Sequence, residues 1–197
     1  MNLLSSDALR RLRHSLPSEG PFVHRLARAA GADMREMQRF SAAEAAEFSR
    51  LGQETFEAIE RLPFLTVAAI DGDCFGGALD LALAFDLRFA TPQSRFAHPG
   101  AKLGIVTGFG GTARWRKSIA PAAARRLFLA NEVLSADEAH AIGLVDAIGS
   151  PDAEALAALD PRAVRMIKEL ARHAERLSQR EVMLLAEMLG QIYLPPR

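Results

Sequence analysis

Two short segments of this chain place small residues where a backbone would have to come close to a ligand. They are Ala30-Gly31-Ala32-Asp33-Met34-Arg35-Glu36-Met37 and Asp71-Gly72-Asp73-Cys74-Phe75-Gly76-Gly77-Ala78-Leu79-Asp80. In each, the small residues sit at a bend that opens a helix, so N–H groups without intrahelical partners stand open to close approach. Two such sites facing one another would hold a developing oxyanion. The titratable groups that could work beside them are Asp80 and His98, the latter in His98-Pro99-Gly100. Asp80 is a candidate proton carrier, or equally a first-turn aspartate favoured by the helix dipole. The ordinary pKa of His98 suits acid–base work near neutrality, although a hydrogen-bonded loop histidine fits as well. Cys74 has no companion base in view and suits an apolar filler better than a nucleophile. His14, His24, His140 and His173 show no ligand spacing, so no metal is expected.

The elements that must position these groups follow from periodicity. Leu3, Leu4, Ala8, Leu9, Leu12 and Leu16 predict a helix over 3–16, stopped by Pro17. Phe22 to Leu26 is a short, polar strand candidate. Ser41 and Glu44 form a capping box for a helix running to Leu62. Phe64 to Ile70 is continuously apolar and predicts a strand buried on both faces. Asp71-Gly72-Asp73 then turns the chain, Gly76-Gly77 starts a helix, and Leu87 to Ala90 is a further strand. Gly104 to Gly111 is a glycine-rich loop before a helix opened by Thr112. Capping boxes recur at Ser135/Glu138 and Ser178/Glu181, and Asp160-Pro161 is a cap with proline at the first helical position. Past Gly149 the pattern is helical, with Leu170, Leu177, Leu184, Leu185, Met188 and Leu189 as apolar positions. Alternation of this kind implies βα units rather than a sandwich.

The 197 residues suffice for one full core, with 49% hydrophobic and 24% charged residues as in soluble globular proteins. Zero formal net charge argues against a broad nucleic-acid or membrane footprint. A single cysteine excludes an internal disulfide and fits a cytoplasmic location. Asp80, Asp86 and Arg88 interrupt the longest apolar stretch, so no membrane span is expected. Arg10, Arg11, Arg13, Arg25 and Arg28 faintly suggest a presequence, with a surface helix as the plainer reading.

Four ordered segments carry a resemblance. AGADMREM, AAIDGDCFGGALDLALAFDLRFA, SRFAHPGAKLGIVTGFGGTARW and SADEAHAIGLVDAI together resemble the enoyl-CoA hydratase/isomerase (crotonase) family over about 30–148. The resemblance implies an α/β, crotonase-like ββα spiral core over 1–150, with amino-terminal strands apparently missing, and a C-terminal helical region over 151–197. It assigns the two oxyanion amides to Ala32 and Gly77. Ala30, Asp33 and Arg35 would lie beside CoA, and Lys168 matches a basic position that reaches CoA across a subunit interface. The family's hydratases use two glutamates; Asp80 and Gly100 stand at those positions here. Glycine carries no proton, and Asp80 withdraws its carboxylate by about 1.5 Å. Gly108-Phe109-Gly110-Gly111-Thr112 lacks the ending of a P-loop and is expected to pack around the acyl pocket. No Gly-x-Ser-x-Gly elbow supports a serine hydrolase on the related spiral fold.

The expected function is therefore action on an acyl-CoA thioester through a stabilised enolate, as a lyase or isomerase, with no cofactor beyond the CoA of the substrate. A catalytically degenerate protein that binds acyl-CoA or only assembles with partners is the alternative. Family members commonly form homotrimers or homohexamers, which the C-terminal apolar positions would allow.

Overall fold

The computed structural model describes residues 2–174 and 177–188; Leu189, counted above with the C-terminal apolar positions, lies outside the described residues. The chain divides into two units. The first holds the residues up to Leu62 together with Thr66–Pro151, and the second holds Pro63–Leu65 with the residues from Asp152 onward.

The first unit opens with strand β1 (Asn2–Leu4), not with helix. Ser5 is in an extended conformation and its side chain accepts from Ala8 N–H, so helix α1 begins only at Ser6 and runs to His14. The residues before that cap pair in parallel with strand β2, Leu4 opposite Ala32. The predicted short strand at Phe22 is eleven residues long, β2 running Phe22–Ala32. Its length was hidden by an irregularity at Arg28 (φ +45°), where the register against the next strand shifts. The bulge breaks the alternation from which a strand is recognised.

Helix α2 (Met34–Met37) follows, and helix α3 (Ala42–Glu60) carries the expected Ser41/Glu44 capping box. From its buried face, Phe48, Phe56 and Ile59 share one apolar core with Leu9 and Leu12 of α1. Strand β3 (Thr66–Phe75) runs through the residues expected to form a turn. Gly72 adopts φ +87° inside the strand, a conformation that glycine reaches without penalty. There the strand changes neighbours. Val67–Ile70 pair with β4 (Leu87–Ala90), whereas Asp73–Phe75 pair with β5 (Arg95–Ala97). The turn signal was therefore real, but it bends a strand instead of ending it.

Between β3 and β4 lies helix α4 (Gly77–Ala82). The unit continues through α5 (Gly100–Leu103), α6 (Gly111–Ser118), α7 (Pro121–Phe128), β6 (Leu134–Ser135), α8 (Ala136–Ala141) and β7 (Ala147–Ile148). The main path of the sheet is β1-β2-β3-β4-β7, with β5 on β3 and β6 on β5. Ile59, Ile70, Leu79 and Phe96 are among the side chains at 2% exposure or less, each contributing about 1.5–3 kcal/mol on burial. Buried Arg88 bonds the carbonyls of Leu144 and Phe85 and pairs with Asp146 at 3.0 Å, which fixes the β4 and β7 ends.

The second unit contains α9 (Ala153–Ala157), α10 (Pro161–Ala174) and α11 (Gln179–Met188). Asp160 Oδ1 accepts from the N–H groups of Arg162 and Ala163, and Ser178 and Glu181 bond reciprocally, as their spacing predicts. Among the described residues, no helix is long and apolar enough to cross a membrane.

Candidate active site

The end of β2 and the start of α4 meet backbone to backbone. Gly31 has φ +88°, and a Cβ there would stand 2.7 Å from Gly77 N and 2.8 Å from the Phe75 carbonyl oxygen. A Cβ on Gly77 would in turn stand 3.3 Å from Ala32 N. Glycine at position 31 permits this approach, which brings the amides of Ala32 and Gly77 side by side. Gly77 is the first residue of α4, where an N–H has no intrahelical acceptor, and both residues line one cavity of about 130 Å³. That is well below the ~300–1,000 Å³ of sites enclosing a whole drug-sized ligand. It suits the reacting end of a larger molecule.

Asp80 lies on the same cavity, one helical turn beyond Gly77, and is fully buried. Its Oδ2 accepts a hydrogen bond from the Thr107 hydroxyl. Its Oδ1 faces His98 Nε2 at 3.3 Å, with side-chain exposures of 1% and 6%. The two atoms are misaligned for a hydrogen bond and neither has another partner. Buried polar atoms left in that state cost about 1–3 kcal/mol each. At catalytic sites such contacts align when substrate or a bridging atom arrives. His98 stacks on Phe128 at 4.5 Å, which fixes its ring plane. The sequence picked out both members of this pair, and the structure brings them together.

The loop expected to pack around the acyl pocket supplies several groups around the pair whose individual roles the spacing did not assign. Thr107 is one. Gly111 is another, because a Cβ there would fall 1.7 Å from Asp80 Oδ1. Phe109 is wedged edge-on against Phe48 and Phe56, at 5.1 and 5.5 Å between ring centres. Arg114 pins this loop, donating to the Phe109 carbonyl at 2.7 Å and to Glu60 at 2.8 Å. The glycine run signalled close packing here, but nothing in the spacing said which residue would reach Asp80.

The position of the expected second carboxylate is closed. A Cβ on Gly100 would lie 2.6 Å from the Ile105 carbonyl oxygen and 3.3 Å from His98 Nδ1. Cys74 is buried, and desolvation together with the nearby Asp80 charge pushes its thiol well above the usual range, so it is no thiolate nucleophile. Ala30 lines the cavity. Asp33 instead caps α2 by accepting from Arg35 N–H, and with Arg35 it borders a separate surface depression beside Ser5 and Glu36. Lys168 donates from Nζ to the Phe64 carbonyl at 2.9 Å, inside the second unit.

A sequence profile described as enoyl-CoA hydratase/isomerase matches residues 26–188. The chain belongs to the enoyl-CoA hydratase/isomerase family. This family member is 37% identical over 162 residues to the crotonyl-CoA hydratase of Syntrophomonas wolfei, a match covering 77% of this chain and 62% of that protein. It is 39% identical over 116 residues to human mitochondrial methylglutaconyl-CoA hydratase, covering 59% and 34%. The matches thus span about three-fifths or less of these relatives' lengths. Among solved structures, an enoyl-CoA hydratase from Bacillus anthracis superposes with a TM-score of 0.86 at 27% identity, covering 96% of this chain and 81% of that one. Pseudomonas aeruginosa DspI gives 0.79 at 28%, covering 94% and 85%. The expected α/β fold, a crotonase-like ββα spiral, is the one the family member has.

Proposed function

We propose that this protein is an enzyme acting on an acyl-CoA thioester, holding the thioester carbonyl on the amides of Ala32 and Gly77 and moving a proton with Asp80. The observation that carries the reading is the open Asp80–His98 pair on the wall of the cavity that also holds the two glycine-anchored amides. Removing a proton from the carbon beside the carbonyl places negative charge on the carbonyl oxygen. Two preorganised N–H donors stabilise that charge, each contributing about 3–4 kcal/mol. The Asp80 carboxylate takes the proton, its Oδ2 steadied by the Thr107 hydroxyl. His98 Nε2, 3.3 Å away, then bonds the same carboxyl group.

One carboxylate favours a particular chemistry. Adding water across a double bond calls for one group to activate water and another to protonate carbon. Shifting a double bond needs one base that returns the proton it removed. Because the backbone of Ile105 closes the position beside Gly100, we place isomerisation of a 3-enoyl to a 2-enoyl thioester ahead of hydration. Atoms balance without water: a proton leaves C2, a dienolate forms, and the proton is returned at C4.

The CoA nucleotide is assigned to Ala30, Asp33 and Arg35 by the family resemblance. Assembly into homotrimers or homohexamers, with Lys168 serving CoA bound to a neighbouring copy, belongs to the same proposal and is checked by sedimentation. The activity is tested by supplying 3-enoyl-CoA and 2-enoyl-CoA separately. Double-bond migration faster than hydration is expected. Hydration as the faster reaction would move His98 into the vacant second role and overturn the isomerase assignment.

A further inference from the structure

We infer that Phe109 closes the acyl pocket and restricts the protein to short acyl chains, an inference that rests on the acyl-CoA reading above. Phe109 is 4% exposed, yet it lines the cavity between the glycine-anchored amides and α3. Its ring presses on the backbone at two glycines from opposite sides. A Cβ on Gly77 would lie 3.0 Å from Cδ2 and Cε2, and a Cβ on Gly52 of α3 would lie 2.2 Å from Cδ1. The ring therefore occupies the whole gap between the first residue of α4 and the facing surface of α3. Phe48 and Phe56 meet it edge-on, so it cannot swing into either neighbour.

The main chain is held as firmly. Gln53 donates to the Gly108 carbonyl at 2.6 Å, and buried Arg114 donates to the Phe109 carbonyl at 2.7 Å. This end of the cavity is a built wall. On this reading a thioester held by its carbonyl oxygen on the amides of Ala32 and Gly77, with its adjacent carbon at Asp80, runs its tail past Gly77 onto the Phe109 ring, which abuts Gly77 and lines the same cavity. A close-packed interior yields little, so methylenes beyond that point have no room. Truncating the ring would open a channel floored by Gly52 and walled by Phe48 and Phe56.

Calorimetry on the full chain with butyryl-CoA and octanoyl-CoA reads this directly, since both share the nucleotide and neither can shift a double bond. Wild type is expected to bind butyryl-CoA at least tenfold tighter than octanoyl-CoA. Phe109→Ala should reverse or erase that ratio, and Phe109→Leu should fall between. Equal wild-type affinities, or an octanoyl preference, would overturn the inference, as would an unchanged ratio in a cooperatively folded Phe109→Ala. If that variant does not fold, the wild-type ratio and Phe109→Leu decide. Should neither thioester bind wild type, the acyl-CoA reading itself fails and this inference with it.

Discussion

Gly111→Ala is the most revealing single perturbation, because it adds one methyl group that touches Asp80 and leaves the oxyanion amides alone. The new Cβ would stand 1.7 Å from Asp80 Oδ1 and 2.5 Å from its Cγ, where real Cβ contacts essentially never fall below 3.0 Å. A gap of about 1.3 Å must therefore open between α6 and the carboxylate. Asp80 lies fully buried on a helix, so the displacement falls on its side chain and its bond to Thr107. A misplacement of about 1 Å costs on the order of a hundredfold in rate. We expect kcat to fall at least that far, about 2.7 kcal/mol in activation free energy. Calorimetric affinity for a saturated short-chain acyl-CoA should change less than threefold, because Ala32 and Gly77 are untouched. Overpacking should also lower stability by about 1–3 kcal/mol, visible in urea unfolding. A Gly111→Ala protein with wild-type kcat would refute the placement of Asp80 in the working enzyme.

Three further outcomes follow from the same geometry. Thr107→Val removes a hydrogen bond to a buried carboxylate, worth about 1.5–3 kcal/mol, and should lower kcat about 10–100-fold at unchanged KM, while Thr107→Ser restores most of it. Steady-state kinetics on the three proteins checks this; a change in KM alone would show that Thr107 serves binding instead of holding Asp80. Cys74, whose thiol is pushed up by burial and by the Asp80 charge, should resist thiol reagents at pH 8 until the protein unfolds, and rapid native labelling would contradict its burial. Burial lowers the pKa of His24, whose ring stacks on Phe85 at 5.8 Å, so the unfolded chain binds its proton first as pH falls. The stability His24 contributes is complete above pH ~6.5 and is lost below it. Melting temperature should drop between pH 7 and 5, and His24→Phe should flatten that drop.

Much of the fold was legible because single residues state their own geometry. Ser41 with Glu44, Ser135 with Glu138 and Asp160 before Pro161 marked helix starts that the structure keeps. The apolar run through Val67–Ile70 marked the central strand. What failed to show were features decided by neighbours. The strand Asn2–Leu4 exists because β2 offers it an edge, and β2 is long because a bulge at Arg28 absorbs the misfit with β3. Asp71-Gly72-Asp73 has turn composition, yet hydrogen bonds to two partner strands hold it extended on either side of the bend.

The site divides the same way. Backbone amides beside Gly31 and Gly77 were readable, since glycine at a close approach has few other uses. Asp80 and His98 were readable as titratable groups but not as a pair, because seventeen residues of helix, strands β4 and β5 and turn separate them in sequence. Thr107, Phe109 and Gly111 acquire their roles only when the loop folds across α4, and no local pattern records that event.

In the proposed reaction Asp80 removes a proton from carbon while Ala32 and Gly77 hold the resulting oxyanion. Deuterium exchange at C2 of butyryl-CoA in D2O measures that step alone, without any later chemistry. Wild type should exchange the C2 protons, and Asp80→Asn should lose at least a hundredfold of the rate while binding butyryl-CoA within threefold of wild type. Exchange at the wild-type rate in Asp80→Asn, with binding intact, would contradict the account.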